Sequence, residues 1–331
     1  LEEISDELGN SFAEYGFAIV RDHGIPQHLI ERAEELAKAF FALPVDIKRQ
    51  YHKPGIGGSR GYTPFGTEIA KDAEVHDLKE FWHVGRTLSE GHPLSDVMAP
   101  NMWPAEIDGF AEAFAELYSE FEKSGGRILR AIAIHLGLEE DYFVATVEDG
   151  NSVMRLLHYP PLGDDAPDGA IRAAAHGDIN TITLLLGAEE AGLELLNTAG
   201  EWVPVSPPKG ALAVNVGDML DRLTNSRLRS TTHRVVNPGG EAAKRSRYSM
   251  PFFLHFRPDF LIEPLAQCVV PGDEPAPAIT SHEQPQPWAA AVLVATRSRL
   301  ECRVDRVASS SDRIVPSMNA EGGMMLLVVP A

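Results

Sequence analysis

The chain has 331 residues, 44% of them hydrophobic, and a formal net charge of -19 at pH 7. Its length and apolar content suffice for a large core, while its acidity argues against nucleic acids and anionic membrane surfaces as partners. The two cysteines, Cys268 and Cys302, form no disulfide or zinc pattern, and the acidic start is not typical of a signal peptide. We therefore expect a cytoplasmic protein, a monomer or weak dimer, without a nucleic-acid or membrane partner.

The first half of the chain has mainly helical patterns. Apolar residues recur with helical spacing in residues 5–15, 27–43 and 108–136. Residues 16–20 form a short apolar run that predicts a buried strand. We interpret residues 1–150 as a helical N-terminal region that packs on a separate core.

After about residue 150 the pattern changes to short strands separated by Pro and Gly turns. The predicted strands are residues 152–159, 179–186, 193–197, 211–216, 234–237 and 249–256. This spacing is typical of an antiparallel sandwich or barrel rather than of a parallel α/β sheet. We assign the catalytic core to residues 151–270, and we predict that the Pro-rich residues 271–331 form an irregular C-terminal tail.

His176, Asp178 and His233 are candidate metal ligands. Residues two apart on a strand project to one side, so His176 and Asp178 can reach the same ion, and His233 would come from a distant strand. Two imidazoles and a carboxylate occupy one face of a six-coordinate metal and leave the other open, which suits Fe(II). Zinc is the rival ion, but the HExxH segment of zinc proteases is missing from the sequence.

Arg247 and Ser249 are candidate anion-binding residues. They are two positions apart in a predicted strand, so both side chains can face one pocket. A guanidinium holds a carboxylate through two hydrogen bonds, and a neighbouring hydroxyl adds another. A dicarboxylate or keto acid is the ligand that this pair predicts.

Several segments, which follow one another in the family's order along most of the chain, resemble the isopenicillin N synthase-like branch of the Fe(II)/2-oxoglutarate-dependent oxygenases. The segments that carry the resemblance are Gly16-Phe17, His23-Gly24-Ile25, Gly61-Tyr62, Asp77-Leu78-Lys79-Glu80, His158-Tyr159-Pro160-Pro161, His176-Gly177-Asp178, Val214-Asn215-Val216-Gly217-Asp218, Asn225, His233-Arg234-Val235 and Arg247-Tyr248-Ser249. The resemblance implies a mixed α and β fold. Its core would be a distorted double-stranded β-helix (jelly roll), preceded by a helical N-terminal region.

The same resemblance implies roles for individual residues. The triad of histidines and aspartate would bind Fe(II), Arg247 and Ser249 would hold the distal carboxylate of the co-substrate 2-oxoglutarate, and Tyr159 would contact it. Plant members of the family have Asn where this chain has Leu157. Their C-terminal helix has no recognisable counterpart after His282.

The implied reaction uses dioxygen and 2-oxoglutarate to hydroxylate, desaturate or cyclise a small organic molecule. Asp178 disfavours halogenation, because halogenating relatives have a small residue there. Two alternatives remain, an iron oxidase of the family that does not use 2-oxoglutarate and a non-catalytic small-molecule-binding protein on the same scaffold. We expect the substrate pocket to involve five aromatic residues, Tyr62, Phe65, Phe81, Trp82 and Phe256.

Overall fold

The computed structural model describes residues 2–54, 58–68, 75–162, 169–186 and 192–284, and the backbone of Leu326–Val328. The helices are α1 Glu2–Tyr15, α2 Gln27–Phe41, α3 Val45–Arg49, α4 Phe110–His135, α5 Val144–Val147 and α6 Asp218–Leu223. The strands are β1 Phe17–Arg21, β2 Gly61–Thr63, β3 Glu80–Gly85, β4 Val153–Tyr159, β5 Ala173–His176, β6 Ile182–Leu186, β7 Leu193–Leu196, β8 Trp202–Pro204, β9 Leu212–Val216, β10 His233–Val235, β11 Arg247–Leu254, β12 Leu261–Ile262, β13 Ile279–Thr280 and β14 Leu326–Val328.

The strands form two main sheets. The larger sheet has eight strands in the order β14-β1-β9-β6-β11-β4-β3-β2, and the smaller has four in the order β5-β10-β7-β8. Strands β12 and β13 pair separately. Neighbouring strands run antiparallel, apart from the parallel pair of β1 and β14. A mixed α and β fold with antiparallel sheets is thus confirmed.

The larger sheet buries both of its faces. In β1, Ala18 and Val20 belong to the core that includes the helices, whereas Phe17 and Ile19 belong to a second core shared with the smaller sheet. Successive strand residues point to opposite faces, so each face receives alternate residues. Because both faces are covered, β1 is almost entirely apolar. Helices, larger sheet and smaller sheet therefore form three layers.

Helix α4 supports the strand that carries the predicted anion-binding residues. The ring of Phe121 stacks on that of Phe252 in β11, with centroids 5.0 Å apart. A Cβ atom on Gly125 would lie 2.9 Å from the Leu254 side chain, so glycine permits the close approach of helix and strand. Aromatic stacking and close packing hold β11 in register above the helix.

The sequence pattern did not predict β5 or the strands of the tail. Strand β5 has the sequence Ala-Ala-Ala-His, and alanine favours helices, so only pairing with β10 makes this segment extended. In the predicted irregular tail, β13 pairs with β12 and β14 pairs with β1. Residues 285–325 of the tail lie outside the described residues.

A buried network joins α3 to the larger sheet beside the site described below. Lys48 Nζ lies 2.9 and 2.8 Å from the two carboxylate oxygens of Glu80, and the same carboxylate contacts Tyr62 and His158. Both charged side chains are at most 8% exposed. The network satisfies a carboxylate that would be costly to bury alone.

Replacing Lys48 should destabilise the protein strongly. Lys48→Met leaves the buried Glu80 carboxylate without its cation, and we expect the free energy of unfolding to fall by about 3–5 kcal/mol in urea denaturation. The matched control is Lys123→Met, because Lys123 is exposed and pairs with Glu120 on the surface of α4. The control should change stability by less than about 0.5 kcal/mol. Equal effects of the two substitutions would contradict the role of the network.

No helix in the described ranges is long and apolar enough to cross a membrane.

Candidate functional site

Two paired strands bring the predicted histidines together. His176 ends β5 and His233 begins β10, and these residues are direct partners in the antiparallel register. Their ring centroids are 4.5 Å apart. Asp178 follows just beyond the end of β5, and its Oδ1 lies 4.0 Å from His176 Nε2 and 3.9 Å from His233 Nε2. The three ligand atoms lie within 4.8 Å of one another, as a metal site requires.

Both imidazole rings are held in the tautomer that suits a metal ligand. His176 Nδ1 donates to the carbonyl of Ala174 at 2.7 Å, and His233 Nδ1 donates to that of Thr231 at 3.0 Å. These bonds place the ring proton on Nδ1 and leave the Nε2 lone pair free to face Asp178. Burial, and then the neighbouring His233 imidazole, lower the pKa of His176 to about 4. His176 is therefore neutral near pH 7, as metal ligation demands.

The larger sheet orients the carboxylate of Asp178. Its Oδ2 accepts hydrogen bonds from Thr183 Oγ1 at 2.5 Å and from Asn215 Nδ2 at 2.8 Å. Thr183 on β6 and Asn215 on β9 are register partners, so two strands fix one oxygen and leave Oδ1 towards the histidines. Burial raises the pKa of Asp178, but the two histidines and these hydrogen bonds outweigh it and lower the pKa overall. Asp178 thus stays ionised.

The donor set fits a divalent ion such as Fe(II). It offers two imidazole Nε2 atoms and one oriented carboxylate oxygen, and all three point into the same cavity. Two histidines and one carboxylate on one side of an ion leave further coordination positions open. The residues present therefore fit the metal that the sequence predicts.

The Thr183 hydroxyl should contribute to metal affinity. Thr183→Val keeps the shape of the side chain but removes one hydrogen bond to Asp178, and we expect about tenfold weaker Fe(II) binding in anaerobic titrations. Thr181→Val is the matched control, because the Thr181 hydroxyl is buried and has no partner within the described chain. The control should leave metal affinity unchanged. Equal Fe(II) affinity in both variants would contradict the orienting role of Thr183.

Arg247 is a buried cation without a carboxylate partner in the described residues. Its side chain is about 1% exposed, and its guanidinium lies 5.1 Å from the Tyr159 ring centroid and 3.4 Å from Ser249 Oγ. The Nε atom has no hydrogen-bond partner in the described chain. Burying an unpaired charge costs several kcal/mol. The arrangement of Arg247, Ser249 and Tyr159 is therefore suited to an anionic ligand.

One cavity contains the histidine and aspartate cluster together with Arg247. About 570 Å³ of empty space lies within it, and part of this space is open to solvent. Strands β4 and β11 each line it with every second residue. The lining residues are Phe17, Lys79, Arg155, Leu157, Tyr159, Ala173, His176, Asp178, Thr183, Leu185, Leu193, Asn215, His233, Val235, Arg247, Ser249, Pro251 and Phe253.

The structure does not bring the five predicted substrate-pocket aromatics to this lining. Tyr62, Trp82 and Phe256 are at most 1% exposed and pack in the core beneath the helices. Phe65 is 45% exposed, and Phe81 packs behind the lining residues Leu157 and Tyr159. Apolar packing accounts for four of these positions, because large rings stabilise the core wherever they can be buried.

Several lining residues were not assigned a role from the sequence. Arg155 is a charge inside the apolar run of β4, and Asn215 is an amide inside the apolar run of β9. A polar residue in a buried strand is itself a signal, since burial is costly without a partner. Leu157 also lines the cavity, so the position that is Asn in plant relatives presents an apolar wall here.

Comparisons with known proteins agree with this geometry. Residues 1–106 match the model of the non-haem dioxygenase in morphine synthesis N-terminal region, and residues 150–256 match that of the 2OG-Fe(II) oxygenase superfamily. The 2-oxoglutarate-Fe(II) type oxidoreductase hxnY of Emericella nidulans is 35% identical over 280 residues, which cover 81% of this chain and 78% of that protein.

Two solved structures are similar in three dimensions. A 2OG-Fe(II) oxygenase family protein from Caulobacter crescentus is 52% identical, with a TM-score of 0.80, and the match covers 89% of this chain and 94% of that one. A full-length protein of Neurospora crassa, solved in complex with alpha-KG and thymine, is 27% identical, with a TM-score of 0.77 and coverage of 88% and 92%.

Proposed function

This chain belongs to the 2-oxoglutarate–Fe(II) oxygenase superfamily, and we propose which of its residues bind the metal and which bind the co-substrate. His176, Asp178 and His233 hold Fe(II), whereas Arg247, Ser249 and Tyr159 hold 2-oxoglutarate. The protein is an Fe(II)- and 2-oxoglutarate-dependent dioxygenase that acts on a small organic molecule. Hydroxylation is the outcome that we propose, and desaturation or cyclisation uses the same cofactors.

The observation that carries this assignment is the shared cavity. It contains a cluster of two imidazoles with an oriented carboxylate, and also a buried guanidinium that lacks a carboxylate partner in the described part of the chain. 2-Oxoglutarate offers one end that chelates a metal and another that is a free carboxylate. A ligand of this shape satisfies both groups at once, and the Arg247 fork matches a carboxylate through two hydrogen bonds.

When bound, the iron supplies dioxygen activation, oxidative decarboxylation of 2-oxoglutarate to succinate and carbon dioxide, and attack on a substrate C–H bond. Thr183 and Asn215 keep one Asp178 oxygen turned towards the ion. Arg247 fixes the far carboxylate, so that the keto acid can reach the histidines in one orientation. Phe17, Leu185 and other apolar residues of the lining limit access of water to the site.

The finer architecture is also part of the proposal. We assign the two facing sheets to a distorted double-stranded β-helix, because the similarly shaped Caulobacter protein belongs to this oxygenase family. Residues 1–150 then form the mainly helical N-terminal region, which also contributes β1, β2 and β3 to the larger sheet, whereas residues 151–270 form the jelly-roll core and 271–331 the tail. A small-molecule substrate is supported by the thymine complex of the Neurospora protein. We propose a monomer or weak dimer in the cytoplasm.

A succinate-release assay tests this function. The protein should release succinate slowly when it is supplied with Fe(II), ascorbate and 2-oxoglutarate, and calorimetry should show 2-oxoglutarate binding to the metal-loaded protein under anaerobic conditions. Oxygen consumption without 2-oxoglutarate binding would favour an iron oxidase. Binding of small molecules without any oxygen consumption would favour a non-catalytic protein.

A further inference from the structure

The cavity contains a second arginine, Arg155, which the proposed binding of 2-oxoglutarate does not use. Arg155 lies on β4 at the opposite end of the lining from Tyr159, four residues or about 13 Å along the strand. Its guanidinium lies 4.3 Å from the ring centroid of Phe81 and 5.4 Å from that of Phe253. Arg155 is thus fixed between two aromatic rings at the end of the cavity away from Arg247.

One edge of the Arg155 guanidinium is held by the protein and the other is open. Arg155 Nε donates to His83 Nε2 at 2.6 Å, and His83 Nδ1 donates to the carbonyl of Gly58 at 2.5 Å. Burial and then the charge of Arg155 lower the pKa of His83 well below its usual value, so the ring is a neutral acceptor. Nη1 reaches Glu68 Oε2 at 3.3 Å, whereas Nη2 has no partner within the described ranges.

Glu68 contacts Arg155 and has an unused acceptor of its own. Its Oε2 accepts from Lys79 Nζ at 2.6 Å and from Arg155 at 3.3 Å, while its Oε1 has no partner in the residues that the structure describes. The backbone carbonyl of Glu68 accepts from the amide of Asp77 at 3.0 Å, which fixes the residue next to the larger sheet. Arg155 and Glu68 therefore each keep one polar atom unused next to the contact that joins them.

The charges at this end of the cavity compensate one another. Lys79 contacts both Glu68 and Asp77, and Arg155 contacts Glu68, so two cations face two carboxylates. Burial raises the pKa of Glu68, but Arg155 and Lys79 outweigh this effect and hold the pKa well below its usual range. A carboxylate ligand at Arg155 would meet the ionised Glu68 at close range, and like charges there are unfavourable. The subsite is suited to a neutral polar group.

We propose that Arg155 and Glu68 recognise the lactam edge of a small neutral nitrogen heterocycle, with Arg155 donating to the ring carbonyl and Glu68 accepting from the adjacent ring N–H. A lactam edge presents one acceptor beside one donor, which is the complement of Arg155 in the cavity lining and of Glu68, which contacts Arg155 from outside that lining. The ring of Phe253 provides a flat apolar wall for such a heterocycle. This inference rests on the proposed function, because it identifies the substrate class of the same site.

Binding of defined probes tests the inference. The protein is loaded with Fe(II) and 2-oxoglutarate without oxygen, and calorimetry measures binding of uracil, 2-pyridone and hydantoin, of their N-methylated derivatives, and of benzoate. We expect at least one lactam to bind at least about tenfold more tightly than its methylated derivative, because a missing partner leaves a buried polar group unpaired. Benzoate should bind more weakly than that lactam.

Substitutions connect the preference to the two residues. Arg155→Met and Glu68→Leu should each reduce affinity for the preferred lactam to that of its methylated derivative, while Arg130→Met, on the exposed face of α4, should leave it unchanged. Glu68→Leu provides an independent variant if Arg155→Met does not fold, as judged by circular dichroism. The inference is overturned if no lactam is preferred, if benzoate binds most tightly, or if the folded variants keep the preference. Calorimetry of 2-oxoglutarate and succinate release by the unsubstituted protein test the proposed function separately.

Discussion

His233→Ala should abolish Fe(II) binding and turnover. The substitution removes one of three ligand atoms that converge in the cavity, and it leaves His176 and Asp178 without their partner on β10. Loss of residues that only orient metal ligands costs about 10–100-fold in affinity, so loss of a ligand should cost more than about 100-fold. The measurements are anaerobic Fe(II) titration and succinate release at saturating 2-oxoglutarate.

The control for this experiment is His282→Ala. His282 is exposed after β13 and is not part of the cavity lining, so its loss should change neither Fe(II) affinity nor turnover. Thermal denaturation should show that both variants fold. Normal Fe(II) binding by folded His233→Ala would refute the assignment of the ligands, even if turnover were impaired.

Arg247→Met should separate folding from co-substrate binding. Because the guanidinium is buried without a carboxylate partner in the described chain, an apolar side chain of similar length should keep or raise the melting temperature of the ligand-free protein. The same change removes the proposed partner of the 2-oxoglutarate carboxylate. We expect at least about 100-fold weaker 2-oxoglutarate binding, because hydrogen bonds to charged groups contribute about 1.5–3 kcal/mol each.

Thermal shift with and without ligand measures both effects. At a concentration of 100 times its Kd, 2-oxoglutarate should stabilise the metal-loaded protein by about 2.7 kcal/mol, and the same concentration should stabilise Arg247→Met by no more than about 0.4 kcal/mol. Ser249→Ala removes a single neutral donor and should weaken binding by only about fivefold. Arg130→Met is the control for replacing an arginine, since Arg130 pairs with Asp141 at the surface. A lower melting temperature of ligand-free Arg247→Met than of the ligand-free unsubstituted protein would contradict this expectation.

Local patterns were sufficient to predict α2 and α4, whose apolar stripes extend over many turns and pack on one face. The structure also brings together the candidate metal ligands, which were predicted from the two-residue spacing of His176 and Asp178 and from the family resemblance. Strand β5 was not predicted, since Ala-Ala-Ala has no strand preference of its own. Its extended form depends on pairing with β10, which lies almost sixty residues later.

The partners of the candidate site residues could not be found from spacing along the chain. Asn215 reaches Asp178 across 37 residues, and Arg155 reaches Glu68 across 87. Asn215 and Arg155 face the cavity because of the register of their strands, and a shift of one residue would turn either side chain to the other face. The predicted pocket aromatics illustrate the same difficulty, because a large ring in the sequence does not reveal which face of its strand is the core.

Substitutions on the two faces of the larger sheet affect different properties of this protein. On β4 and β11, the residues that face the cavity alternate with residues such as Met154, Leu156 and Phe252 that face the helices. Exchange of Arg155, Leu157, Pro251 or Phe253 can alter which molecule is accepted without removing a side chain from the helical core. Substrate selectivity can therefore change in evolution while the side chains that stabilise the helical core stay the same.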